Sequence, residues 1–313
     1  MPENGPSKTV ALNSAQILRE ARRLQFLVHP RALAELAGAY HGARPGAGLT
    51  FAELRPYEPG DDVRHIDWNV SARQQRPYVR HYTEERSLTL WLAVDLSASM
   101  KFGQVGRTKA DRACQAAGLL AAAAIHNGDR VGLLLVGNRI VQELPPQAGI
   151  KHLAHLLRLL VEGRATDVPT SSNLSTIPAR FGRKSHPHRA LIICLSDFRD
   201  PLDCYTWRRL AAKHQCTAIR IYDPLEVELP RVGLIHAVDP QTGLKYPIDT
   251  DSQSVRNRYR EDATLRQELF DQFCRQSCVV GWQLSTADDP LRSLQKLFRE
   301  AQHSQPSRIR VRR

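Results

Sequence analysis

The chain has 313 residues, with 44 Lys+Arg against 32 Asp+Glu for a net charge of +12, and is 42% hydrophobic and 6% aromatic. That length holds one large domain or two modest ones, and the apolar fraction excludes a chain that is disordered throughout. The longest apolar run, residues 116–125 (AAGLLAAAAI), falls well short of the roughly 20 residues of a membrane span, and the polar start MPENGPSKTV lacks the apolar core of a signal peptide. A soluble, cytoplasmic protein is expected.

Most of the positive excess lies within residues 89–225, where the charges are scattered apart from Arg180–Lys184 and Arg208-Arg209. A DNA-binding protein more often carries a dense basic stripe or a reading motif, so nucleic acid is disfavoured as a partner. Arg308, Arg310, Arg312 and Arg313 make a basic tail, which leaves peripheral contact with anionic lipid or an acidic partner open. The cysteines at 114, 194, 204, 216, 274 and 278 form no Cys-x-x-Cys pair and ask for neither zinc nor disulfides.

In chain order, residues 1–87 read as an N-terminal extension. A helical stretch at 14–36 and a Gly-rich segment at 38–48 lead into a polar, aromatic block from Phe51 to Trp68. This block is expected to wrap against the following sheet through Phe51, Tyr57, Ile66 and Trp68. From residue 88 onward, short apolar runs at 88–96, 130–136, 189–195, 216–222 and 278–284 read as buried strands. They alternate with helical patterns at 108–126, 150–162, 173–181, 203–214, 252–277 and 289–303. The alternation predicts an α/β domain over 88–303, with a doubly wound, mostly parallel sheet. Ile140–Leu144 is placed as an antiparallel edge strand, residues 232–250 as an inserted hairpin turning at Asp239–Gly243, and 304–313 as the basic tail.

In a doubly wound sheet, ligands bind beyond the carboxyl ends of the strands, where the strand order reverses. Two apolar runs end there in a carboxylate. Leu88–Val94 runs into Asp95-Leu-Ser97-Ala-Ser99, and Leu191–Leu195 runs into Ser196-Asp197. One turn then carries a carboxylate and two hydroxyls, and a neighbouring strand adds a second carboxylate. An oxygen-only set with few direct carboxylates suits Mg²⁺, which keeps waters and leaves a position for an incoming acidic group. The competing reading makes these residues simple helix caps. Their paired placement on two strands favours the metal.

The segment Leu90–Ser99 with Asp197 resembles the von Willebrand factor A fold and its metal-ion-dependent adhesion site. The upstream block is similar to the bacterial family known as domain of unknown function 58. Its matching stretches are Phe51-Ala-Glu-Leu-Arg55, Tyr57-x-Pro-Gly-Asp-Asp-Val-Arg64, Ile66-Asp-Trp-Asn69 and Ser71-Ala-Arg73. Glu84-Glu85-Arg86 and Asp239-x-x-Thr-Gly243 with Asp249-Thr250 fit it too, so that the resemblance spans about residues 40–300. It implies that Ser97 and Ser99 bind Mg²⁺ directly, and that Asp95 and Asp197 bind it mainly through water. A further loop hydroxyl is implied, with Thr166 and Ser172 both open for the place. Members of that family are often encoded beside MoxR-type AAA+ ATPases, and no enzymatic activity is attached to them.

The expected function is therefore a non-enzymatic, Mg²⁺-dependent protein-interaction module. It would act as an adaptor to a MoxR-type ATPase and capture an Asp or Glu carboxylate of a client protein. A metal-assisted hydrolase using Asp95 and Asp197 is the alternative, but no general base is evident. A basic-surface nucleic-acid binder is the second alternative. Within residues 51–73, Asp61, Asp62, Arg64 and Asp67 are read as an ion-pair and capping network rather than an acid–base pair, with a docking surface as a third reading.

Overall fold

The computed structural model of the protein describes residues 49–58, 61–84, 88–104, 106–165, 171–183, 189–238 and 244–303. The expected helix at 14–36, Thr166, the turn at 239–243 and the tail at 304–313 lie outside them. Two compact units divide the chain, with a boundary between Ser87 and Leu88.

In the smaller unit, β1 (Leu49–Pro56) pairs antiparallel with β2 (Tyr78–Glu84), and α1 (Trp68–Gln74) lies between them in sequence. The carboxylates of this block are engaged locally. Asp62 accepts from the Arg64 backbone N–H at 3.0 Å and pairs with the Arg64 side chain at 2.8 Å, while Asp61 pairs with Arg55 at 2.6 Å. Asp67 caps α1 by accepting from Asn69 and Val70, which satisfies two of the unpaired N–H groups of the first turn. Trp68, expected to be buried, is 71% exposed. It is the first residue of a short helix whose one buried residue is Ser71.

The larger unit is built on one six-stranded sheet. Its strands are β3 (Thr89–Asp95), β6 (Arg130–Val136), β7 (Ile140–Gln147), β8 (Leu191–Ser196), β9 (Gln215–Tyr222) and β12 (Val280–Ser285), in the spatial order β12-β9-β8-β3-β6-β7. All neighbours are parallel except β7, which is antiparallel to β6 at the edge. The α/β, doubly wound expectation is met, including the edge strand. That strand runs three residues further than expected, through Pro145 and Pro146, because an edge strand has one side free of ladder bonds and tolerates proline there.

Side chains alternate across the sheet, so each buried strand feeds two cores. Leu90, Leu92 and Val94 of β3 face one layer; Trp91 and Ala93 face the other. The first layer holds α2 (Lys109–His126), α3 (Ile150–Ala165) and α7 (Pro290–His303). The second holds α4 (Thr176–Arg183), α5 (Cys204–Lys213) and α6 (Gln253–Ser277). Nearly every residue of α2 is buried, and its run of alanines lets it lie close against β3.

Most element ends fall within two or three residues of expectation. The clearest shift is α4, expected from Asn173 but starting at Thr176. Pro178 lacks an N–H and is tolerated only in a first helical turn, so the helix cannot begin much earlier. Asn173 instead closes a turn, its carbonyl accepting from the Thr176 N–H at 3.1 Å and from Thr176 Oγ1 at 2.7 Å. Ser172 therefore does not directly precede the helix. The inserted hairpin is present as β10 (Leu234–Val238) paired with β11 (Lys245–Asp249).

Candidate functional site

The strand order reverses at β3, whose two neighbours, β6 and β8, follow it in the chain on opposite sides. Asp95 is the last residue of this central strand and is wholly buried. Its Oδ1 accepts the Ser97 N–H at 2.9 Å, which folds the chain into a 3₁₀ turn over Ala98–Lys101. Its Oδ2 accepts the Ser196 hydroxyl at 2.6 Å, from the end of the adjacent strand β8. Ser97 Oγ and Ser99 Oγ stand 3.2 Å apart, and both residues are buried. Two oxygens bound to a Mg²⁺-sized ion at about 2.1 Å, on adjacent octahedral positions, would be about 3 Å apart.

Asp95 has no ion-pair partner among the described residues. Burial pushes its carboxyl above the usual carboxylate range, and the nearby charge of Asp197 pushes it further, against the bonds from Ser196 and Ser97. A buried carboxylate without a counter-ion either takes up a proton or attracts a cation.

Asp197 is in a different situation. Its Oδ2 lies 2.7 Å from Nζ of Lys109, which is itself fully buried and lies 2.7 Å from Glu226 Oε1. Arg199 completes the group, 3.7 Å from Asp197 and 3.0 Å from Glu226. Two acids and two bases therefore balance beside Asp95. Lys109 is the first residue of α2, where the helix dipole disfavours a cation, so the two carboxylates must outweigh it. Thr108 caps α2 in a reciprocal capping box with Asp111, and the two-residue ribbon of β4 (Gly103–Gln104) and β5 (Arg107–Thr108) carries the chain there. At φ 131°, Gly103 is required, because a Cβ would sit 2.8 Å from the Arg107 carbonyl oxygen. Glu226 closes the 3₁₀ turn Pro224–Glu226 that follows β9.

Ser172 reaches the same edge of the sheet. The Leu96 N–H donates to Val136 O, and the Asn173 N–H donates to Gly137 O, both at 2.8 Å. Ser172 N–H donates to Asp200 at 3.0 Å, and its Oγ is buried without a hydrogen-bond partner among the described residues. Asp95, Ser97 and Ser99 are the oxygen donors that could hold a small, hard cation, and Ser172 brings to this edge a hydroxyl with no hydrogen-bond partner among the described residues. Asp197, the remaining site residue expected from the sequence, is held by an ammonium.

Of the five residues expected to form the site, Asp95, Ser97 and Ser99 share one turn, Asp197 directly follows the adjacent strand, and Ser172 lies on the same edge. The sequence reading missed Lys109, Ser196, Arg199 and Glu226. A basic residue on the first turn of a helix, directly after a Thr cap, is the one local sign that Lys109 has acidic partners. Phe198 supports this edge from the other side. At φ 52° it adopts a left-handed conformation uncommon for a bulky residue, and its ring lies 5.1 Å from that of Phe270, tilted by 52°.

Fold and site together define a doubly wound α/β protein with a buried carboxylate–hydroxyl turn at the switch point of its sheet. The chain belongs to the family described as Protein of unknown function DUF58, whose profile matches residues 53–269. It is 32% identical over 244 residues to the uncharacterized protein Rv1480 of Mycobacterium tuberculosis, an alignment covering 77% of this chain and 76% of that protein. Bacillus subtilis YeaD is 30% identical over 109 residues, covering 35% of this chain and 25% of that protein. Among solved structures, the chain is similar to the conserved hypothetical protein BatB from Bacteroides thetaiotaomicron, with a TM-score of 0.46, 13% identity, and coverage of 70% of this chain and 100% of that one. It is also similar to the VWA domain of SpRpn10, with a TM-score of 0.38, 10% identity, and coverage of 70% and 98%.

Proposed function

We propose that this protein is a non-enzymatic interaction module that holds Mg²⁺ at Asp95, Ser97 and Ser99 and uses it to capture a carboxylate of a client protein. The observation that carries this reading is the buried Asp95, which lacks a cationic partner among the described residues and shares its turn with two hydroxyls 3.2 Å apart. Ser97 and Ser99 would hold the ion directly. Asp95, both of whose oxygens already accept hydrogen bonds, would support it chiefly through water. When bound, the cation supplies a Lewis-acidic position for an incoming Asp or Glu. The rest belongs to the chain. Ser196 and the Ser97 N–H aim the Asp95 carboxylate, and the close-packed sheet beneath keeps the turn rigid.

A MoxR-type AAA+ ATPase is the proposed partner, taken from the family resemblance, and would supply the energy for client remodelling. No helix among the described residues is long and apolar enough to cross a membrane. The test is thermal unfolding after chelation, with and without Mg²⁺, on the wild type and Asp95→Ala. A ligand bound only by the native state at about 100 times its Kd adds roughly 2.7 kcal/mol. A rise in Tm with Mg²⁺ in the wild type, lost in Asp95→Ala, is expected. An unshifted wild type refutes Mg²⁺ dependence and leaves a metal-free scaffold.

A further inference from the structure

The two acids at this edge of the sheet are treated differently by the fold. Asp95 ends β3 and Asp197 directly follows the neighbouring strand β8; both are buried and interact electrostatically, yet among the described residues only Asp197 meets a cation. Lys109 reaches it from the start of α2, fully enclosed, with its ammonium at 2.7 Å from two carboxylates. Such an arrangement is costly to bury and costly to break, because loss of one partner leaves uncompensated charge in a low-dielectric interior. Lysine presents a compact point charge on a flexible stem, which lets one ammonium stand between two carboxylates. The ammonium also lies over the ring of Phe102, 5.9 Å from its centroid.

We infer that Lys109 is the resident cation of Asp197 and sets the metal affinity of the neighbouring turn, making it a one-carboxylate site that binds a hard divalent cation weakly. Two facing acids would attract such a cation strongly. With Lys109 on Asp197, only Asp95 contributes uncompensated negative charge, and the ammonium adds repulsion close by. Capture would then be reversible, with the incoming client carboxylate supplying the second negative charge that the fold withholds. The inference rests on the proposed cation site at Asp95, Ser97 and Ser99. It adds a residue, Lys109, that no part of that site requires.

The test measures Mn²⁺ binding by the full chain, using electron paramagnetic resonance of free Mn²⁺ and the Tm shift in parallel. Lys109→Met/Glu226→Gln removes one positive and one negative group, so net charge is kept and Asp197 is freed with Arg199 still beside it. This double variant is expected to bind Mn²⁺ at least tenfold more tightly than the wild type, and Lys109→Arg to stay near wild type. The single variant Lys109→Met, with two buried acids exposed to one another, is expected to melt early and to be rescued by Mn²⁺ more strongly than the wild type is stabilised.

Wild-type binding with an unchanged or weaker double variant overturns the role of Lys109 and leaves the cation site standing. Binding only in the variants upholds the role of Lys109 and overturns Mg²⁺ dependence of the natural protein. Absence of binding, and of any Mn²⁺ rescue, in all of them overturns both.

Discussion

Replacing Asp129 by asparagine should stabilise the protein at neutral pH and leave it unchanged in acid. Asp129 follows the Asn127-Gly128 turn between α2 and β6 and is only 6% exposed. Its Oδ1 accepts the Leu88 N–H at 2.8 Å, a bond that ties the start of β3 to the turn. That one bond does not offset burial, which pushes the carboxyl from 3.8 up to about 6. The folded state therefore holds this proton more tightly than the unfolded chain does. The associated stability is fully present below about pH 4 and is lost as the pH rises through about 6. A shift of about two units, at 1.36 kcal/mol each, amounts to about 3 kcal/mol by pH 7.5. Asparagine keeps the oxygen acceptor for Leu88 and carries no charge.

Urea unfolding, followed by the fluorescence of the buried Trp91 and Trp207, would be compared between wild type and Asp129→Asn from pH 4 to 7.5. The variant is expected to gain up to about 3 kcal/mol at pH 7.5, with the difference closing towards pH 4. Comparing the two proteins at each pH cancels the contribution of Asp95, which is also shifted upward. A difference that does not depend on pH, or a variant less stable at pH 7.5, would refute the reasoning.

Two further substitutions test how the framework is held. Gly132→Ala would place a Cβ 2.7 Å from Trp91 Cε3 on the paired strand and should cost about 1–3 kcal/mol in chemical denaturation; an unchanged midpoint would show that Trp91 moves aside freely. Thr108→Ala removes the hydroxyl that accepts the Asp111 N–H at 3.1 Å and should cost about 1 kcal/mol by the same measurement. Because Thr108 directly precedes Lys109, its loss should also weaken the seating of Lys109, seen as faster amide exchange at the start of α2 than at its end.

The sheet was legible because its inner parallel strands are short, buried apolar runs with a turn at their ends. Thr89–Asp95 and Leu191–Ser196 have no competing local reading: they are too short for buried helices and too apolar for loops. The Asp95 turn was legible for a related reason. A carboxylate and two hydroxyls within five residues, directly after such a strand, form a local pattern that needs no knowledge of distant chain. The start of α4 was misjudged where apolar spacing was weighed without the constraint of Pro178 on the first turn. The burial of Trp68 was expected from its chemistry, but a large aromatic on a short helix is buried only if another surface covers it.

By itself, then, the amino-acid sequence determined the strands of the six-stranded sheet, the helices packed on it, the doubly wound class and the turn that bears Asp95, Ser97 and Ser99, since these follow from periodicity and neighbours within a few residues, whereas the hairpin and short helix of the smaller unit did not show in its polar block. Only the tertiary structure decided the charge state of the site. Lys109 meets Asp197 across 88 positions of chain and Glu226 across 117. Ser196 meets Asp95 across 101. Contacts of that separation leave no local pattern, because what brings them together is the stacking of parallel strands, which gathers the ends of β3, β8 and β9 along one edge whatever the length of chain between them.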